Sequence, residues 1–177
     1  PMPVEANPVL GWRAFRVGLA HTEIYTVQLR AIVRVAAEHP VKIMFPMIAT
    51  LGEWRAAVAL LAAAREEVLA RGDRAPAAIA TGIMVEIPAA ALLAREFAAE
   101  VDFFSIGTND LTQYTLAAER GNARLAALAD PLHPAVLRLI RAVVDAGRAR
   151  GKWVGVCGEL AADPLAIPLL VGLGVDE

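Results

Sequence analysis

The sequence predicts an α/β fold with parallel strands, part of a (β/α)8 TIM barrel. Three observations carry that prediction. Residues 42–48 (KIMFPMI), 82–87 (GIMVEI), 101–107 (VDFFSIG) and 153–157 (WVGVC) are short, near-continuous apolar runs, the pattern of strands covered on both faces. Helix-patterned segments of ~10–18 residues separate them, which is βαβ alternation. Polar residues fall at the C-terminal end of strand after strand: Glu86, then Asn109 and Asp110, then Cys157 and Glu159. Barrel enzymes build their sites at that end, from several strands. A doubly wound sheet is the competing arrangement, but no G-x-G-x-x-G joins the first strand to its helix, as a nucleotide-binding sheet of that kind would often show.

The elements follow in order. Residues 1–8 hold three prolines and read as an extended lead-in. A helix is expected from Gly11 or Phe15 to Glu38, with a break near His21 and Thr22. After the first strand, Thr50-Leu51-Gly52-Glu53 is a capping box, Thr at the N-cap and Glu three residues on. Its helix runs to Ala70 and stops at Gly72, with Trp54, Val58, Leu61, Val68 and Leu69 toward one side. Residues 75–80 form a loop before the second strand. Pro88 suits the first turn of a helix over 88–99. A short helix starts around Asp110 after the third strand. A long one spans 134–150 and is closed by Gly151. Asp163-Pro164 reads as N-cap and first residue of a last helix to Val171, and residues 174–176 as the start of a fifth strand.

Composition narrows the function classes. Of 177 residues, 57% are hydrophobic and 20% charged, which excludes disorder. Alanine accounts for 37 of them and aromatics for only 6%, which suits helices packed closely on a sheet. The formal net charge is −2, so no basic excess points to nucleic acid or to an anionic membrane. No apolar run reaches the ~18 residues of a membrane span. The single cysteine excludes an intramolecular disulfide framework and a Cys-cluster zinc site, and fits a reducing cytoplasm. Neither end of the sequence looks like a natural terminus.

Several side chains can carry chemistry. Glu86 lies in an apolar strand, where a lone carboxylate is costly without a partner. It is either paired with a neighbouring arginine, or a hard-cation ligand or acid/base group. Asp110 lies 24 positions on, after the next strand. If those strands are neighbours, the two carboxylates share one mouth, and a pair of carboxylates with no Cys or His nearby suits Mg²⁺. Asp110 alone could instead cap its helix. Gly107-Thr108-Asn109 opens that helix, where backbone N–H groups can hold an anionic oxygen. Arg13, Arg16 and Arg120 offer guanidinium forks that match phosphate or carboxylate, although composition alone does not separate them from the other arginines. Cys157 is either a small buried hydrophobe or, at the catalytic end of its strand, a nucleophile or proton donor. His21, His39 and His133 follow no strand and read as non-catalytic.

The motifs NPVLGWRAFR from Asn7, then IMFPMI, GIMVEIPAA, DFFSIGTNDLTQYTLAAERGN and GKWVGVCGELAAD occur in this order and spacing. They resemble the C-terminal phosphoenolpyruvate-binding barrel of Enzyme I of the bacterial sugar phosphotransferase system, over essentially the whole chain. Pyruvate phosphate dikinase and phosphoenolpyruvate synthase share the G-T/S-N-D-L-T-Q core. The continuation through Tyr114 to Arg120-Gly121-Asn122 is similar to Enzyme I instead. A non-catalytic module that binds phosphoenolpyruvate or dimerises is a third reading.

The resemblance implies that residues 1–177 are the C-terminal part of that barrel domain, its strands four to seven plus the start of the eighth. It implies Glu86 and Asp110 as Mg²⁺ ligands, Arg13, Asn109, Asp110 and Arg120 as substrate contacts, and Cys157 as the acid that protonates C3 of the enolate. The implied activity is phosphoryl transfer from phosphoenolpyruvate to a histidine of a separate domain and on to the phosphocarrier protein HPr, with release of pyruvate. A cytoplasmic homodimer, without membrane insertion or nucleic acid, is also implied. Glu119 stands where many relatives carry Asp, which keeps the charge. The family motifs G-L-x-R-T-E and I-R-T-x-D, and the phospho-accepting histidine domain, do not occur in these 177 residues. The chain alone is therefore expected not to turn over phosphoenolpyruvate.

Overall fold

All four apolar runs form strands. Lys42–Phe45 (β1), Ala80–Val85 (β2), Phe103–Ile106 (β3) and Trp153–Val156 (β4) make one parallel sheet in the order β1-β2-β3-β4. The structure is a computed structural model describing residues 4–177, so the first three residues of the proline-rich lead-in lie outside the described residues. In a doubly wound sheet the strand order reverses at a switch point. Here it is strictly sequential, as around the wall of a barrel. The sheet continues where a fifth strand is expected: Asp176 N–H donates to Val154 O at 2.8 Å and Val156 N–H to Glu177 O at 2.7 Å.

The helices fall before, between and after the strands. They are Phe15–Ala20 (α1) and Thr22–Ala36 (α2), Leu51–Ala70 (α3), Pro88–Leu92 (α4) and Ala94–Phe97 (α5), Thr108–Leu116 (α6), Pro134–Arg148 (α7) and Ile167–Leu173 (α8). The break at His21 is as expected. The capping box is complete, with Thr50 Oγ1 accepting from Glu53 N–H and the Glu53 carboxylate accepting from Thr50 N–H. Gly72 and Gly151 take φ of +81° and +64°, so both helix stops rest on a left-handed residue.

The parallel register sorts the strand residues onto two faces. Ile43, Phe45, Ile83, Val85, Phe104, Ile106 and Val154 turn toward the helices and are at most 7% exposed. Burying each such side chain is worth ~1.5–3 kcal/mol. α7 lies close on β4 because Gly147 has no Cβ; one there would come within 2.6 Å of Val154 Cγ2. The opposite face carries Met44, Met84, Phe103, Ser105 and Trp153, with Glu86, Gly107 and Cys157 just beyond the strand ends.

Some boundaries differ from the expectation, for local reasons. β1 ends at Phe45, not residue 48, because Pro46 has no N–H to donate to the ladder and Met47 turns to φ +57°. The helix expected over 88–99 breaks at Leu93, which takes ψ near 17°. On α3 the buried stripe is Trp54, Ala57, Leu61, Ala64 and Val68, while Leu69 is 40% exposed. The alanines, not Leu69, meet the neighbouring elements. Asp163 does not cap the last helix. Its carboxylate accepts from Leu165 N–H at 2.9 Å, in a turn after the 3-10 segment Glu159–Ala162, and α8 begins only at Ile167. That start puts Pro168 in the first turn, where its missing N–H goes unneeded.

Candidate active site

The registers Val85–Ile106 and Ile106–Val156 make Glu86, Gly107 and Cys157 one level rung at the C-terminal edge of the sheet. Backbone bonds hold that rung: Gly107 N–H to Val85 O at 3.1 Å and Cys157 N–H to Ile106 O at 3.0 Å. The centre is a glycine in a tight space. A Cβ at Gly107 would lie 3.0 Å from both Glu86 Cβ and Met84 Sδ.

Glu86 is 5% exposed. Its Oε1 accepts a 2.6 Å hydrogen bond from Met47 N–H, across the end of β1. The left-handed backbone at Met47 aims that N–H at the carboxylate, a strained conformation retained at a polar site. Burial pushes the Glu86 carboxyl up to about 7. The Met47 N–H opposes this, the nearby Asp110 carboxylate adds to it, and Arg13 opposes it.

Asp110 sits in the first turn of α6 but does not cap it. Gly107 is the N-cap residue, with no side chain to offer. Asp110 Oδ2 instead accepts from Arg13 Nη2 at 3.0 Å. Arg13 Nη1 donates to Tyr114 Oη at 3.2 Å, and Tyr114 donates to Val9 O at 2.5 Å. Burial works against the Arg13 charge, but Asp110 and Tyr114 outweigh it and hold the guanidinium above its ordinary value. Burial raises the Tyr114 hydroxyl as well, so it stays protonated.

Asn109 faces the next loop. Its Oδ1 accepts from Glu159 N–H at 3.0 Å, and its Nδ2 donates to Glu159 Oε1 at 3.2 Å. This clasp joins the loop after β3 to the loop after β4, which carries Cys157. The two loops also touch at Gly158, where a Cβ would fall 1.9 Å from Thr108 Oγ1. Cys157 is exposed, and its thiol donates to Ile106 O at 3.6 Å.

The structure thus brings Arg13, Glu86 and Asp110 into one cluster, with Asn109 on the helix turn that carries Asp110 and Cys157 on the same rung as Glu86, two strands away. Arg120 stays outside. Its side chain is exposed and makes no polar contact among the described residues, and only its backbone N–H is tied, to Gln113 Oε1 at 2.9 Å. Arg16 also turns away, donating to Leu10 O and Gly11 O. Sequence reasoning missed the roles of Met47 and Tyr114. A backbone N–H leaves no sequence signal. Tyr114 did leave one, since four residues from Asp110 places it on the same helix face.

The carboxylate pair fits a hard divalent cation. One oxygen of each is already engaged, by Met47 and by Arg13, and the other is left to a neighbour. Among the described residues no group of three or more His, Cys, Asp or Glu converges. Mg²⁺ is commonly held by one or two carboxylates, with substrate phosphate and water completing the shell.

Comparison with known proteins addresses the chain as a whole. The family described as "PEP-utilising enzyme, PEP-binding domain" matches residues 1–177. Proteins named phosphoenolpyruvate-protein phosphotransferase are similar throughout. The one from Geobacillus stearothermophilus is 55% identical over 176 residues, covering 99% of this chain and 30% of that protein. Those from Bacillus subtilis (strain 168) and Latilactobacillus sakei are 52% and 51% identical, each with 31% of its length covered. The chain therefore spans less than a third of the length of these relatives. Among solved structures, a citrate lyase from Burkholderia xenovorans LB400 superposes with a TM-score of 0.56 at 25% identity, over 77% of this chain and 40% of that one.

Proposed function

The chain belongs to the PEP-utilising enzymes through their PEP-binding domain, and from that premise we propose that it forms the substrate site of a phosphoenolpyruvate–protein phosphotransferase, Enzyme I of the sugar phosphotransferase system. Residues 1–177 are then the C-terminal part of the barrel domain. The observation that carries the reading is the convergence of Glu86, Asp110 and Arg13 at the C-terminal edge of a parallel sheet, an oxygen pair for a cation beside a fork for an anion.

In this reading Glu86 and Asp110 hold Mg²⁺, which when bound offsets charge on the phosphoryl oxygens. Arg13 keeps three of its five N–H groups for the substrate phosphate, the other two going to Asp110 and Tyr114. Asn109 Nδ2 has a second hydrogen to offer. Arg120, free at the surface, swings in to a further phosphate oxygen. The bond from phosphorus to the enol oxygen breaks as one forms to a histidine nitrogen on a separate domain, from which the phosphoryl group passes to HPr. The remaining enolate takes a proton at C3 from the Cys157 thiol and leaves as pyruvate. Until then Ile106 O holds that proton. The full-length protein works as a cytoplasmic homodimer, and no described helix is long and apolar enough to cross a membrane.

Titration calorimetry of phosphoenolpyruvate into the full-length protein tests this. Binding is expected only with Mg²⁺, and is expected to vanish in Glu86→Gln. Binding that ignores both the cation and the substitution would overturn the reading.

A further inference from the structure

We propose that Tyr114 is the residue that positions Arg13, and so sets how well the site captures an anionic substrate. The inference deepens the reading above and rests on it for the identity of that substrate.

The geometry is specific. Asp110 and Tyr114 stand one helical turn apart on α6 and take the two terminal nitrogens of one guanidinium, Nη2 at 3.0 Å and Nη1 at 3.2 Å. The Tyr114 hydroxyl has a single proton, which goes to Val9 O at 2.5 Å. Its lone pairs are what accept from Arg13. One hydroxyl therefore grips both the Arg13 side chain and the backbone that leads to it. Glu5 holds the same segment, its carboxylate accepting from Trp12 N–H at 3.0 and 3.1 Å.

The backbone adds an independent sign. Ala14, directly after Arg13, takes φ +49° and ψ −127°, a conformation that non-glycine residues adopt only when their surroundings impose it. The contacts on residues 9–13 supply that constraint and fix the direction in which Arg13 leaves the chain. The pull of Asp110 alone would leave the guanidinium free to turn about that one bond. Its side chain is 36% exposed, and an arginine so exposed has considerable rotamer freedom to lose on binding. With Tyr114 on the second nitrogen, the fork is set before substrate arrives, and preorganisation of this kind raises affinity by lowering the ordering cost. Tyr114 touches no reacting atom in this scheme and acts through Arg13.

The test uses Tyr114→Phe, which keeps the ring and removes only the hydroxyl, in the full-length protein. Without ligand, ¹⁵N NMR of the Arg13 guanidinium should show hindered rotation in the wild type and averaged signals in Tyr114→Phe. With phosphoenolpyruvate and Mg²⁺, KM should rise about tenfold while kcat stays within about threefold. On an Arg13→Met background the same change should add less than about threefold, since its target is gone. Unchanged guanidinium dynamics, or a full effect on the Arg13→Met background, would overturn the proposal. A wild type with no response to phosphoenolpyruvate would overturn the functional reading instead, and the NMR comparison would still decide the role of Tyr114.

Discussion

The main-chain N–H of Met47, just past one strand, donates a 2.6 Å hydrogen bond to the carboxylate of Glu86, just past the next. That bond lets a buried carboxylate persist at the sheet edge, but it does not cancel burial, and the Glu86 carboxyl stands at about 7 against an ordinary 4.5. Between those values the folded chain holds a proton that the unfolded chain has lost, so metal-free stability falls as pH rises through that window. Thermal melts from pH 4.5 to 8 should show this decline. Glu86→Gln should flatten it, and an unaltered slope in that variant would mean that Glu86 is not its source.

Mg²⁺ should act on the same group. A cation held by Glu86 and Asp110 displaces the proton, so added Mg²⁺ should raise the melting temperature more at pH 8 than at pH 5. An equal rise at both, or one that survives Glu86→Gln, would place the cation elsewhere.

Gly158 is where the loop bearing Cys157 meets α6. An added Cβ would lie 1.9 Å from Thr108 Oγ1 and 2.7 Å from Thr108 N. Gly158→Ala should therefore cost ~1–3 kcal/mol in a denaturant titration. Thr108→Ala on top of it should restore only part, because the backbone nitrogen remains. Full restoration would show that the side chain alone sets the contact.

The helix over Leu51–Ala70 begins at a complete capping box. Thr50→Ala should lower stability by ~1 kcal/mol, read from the shift in urea midpoint. Because Thr50 and Glu53 bond each other and the Ala49 N–H, and none of Glu86, Asp110 or Arg13, ligand binding should be unchanged by the substitution.

Much of this arrangement was legible in the sequence. Apolar continuity marks the four strands, and the periodicity of polar residues at their ends marks Glu86, Asp110 and Cys157 as neighbours in space. The unread parts depend on information that spacing does not carry. Arg13 meets Asp110 across 97 residues and Tyr114 across 101, and no local pattern selects it over Arg16. The Met47 contact is made by a backbone group. The clasp between Asn109 and Glu159 needs the two loops already in place. The helix break at Leu93 and the late start of α8 show local propensity yielding to packing and to the position of Pro168.

In the proposed function this sheet edge binds phosphoenolpyruvate and releases it as pyruvate, with Glu86 and Asp110 holding the cation and Cys157 supplying the proton. Isotope exchange between labelled pyruvate and phosphoenolpyruvate, catalysed by the full-length protein, measures it most directly. Exchange is expected to require Mg²⁺, to be abolished by Asp110→Asn, and to fall by ~10²–10⁴ in Cys157→Ala while phosphoenolpyruvate still binds. Exchange at the wild-type rate in either variant would contradict it.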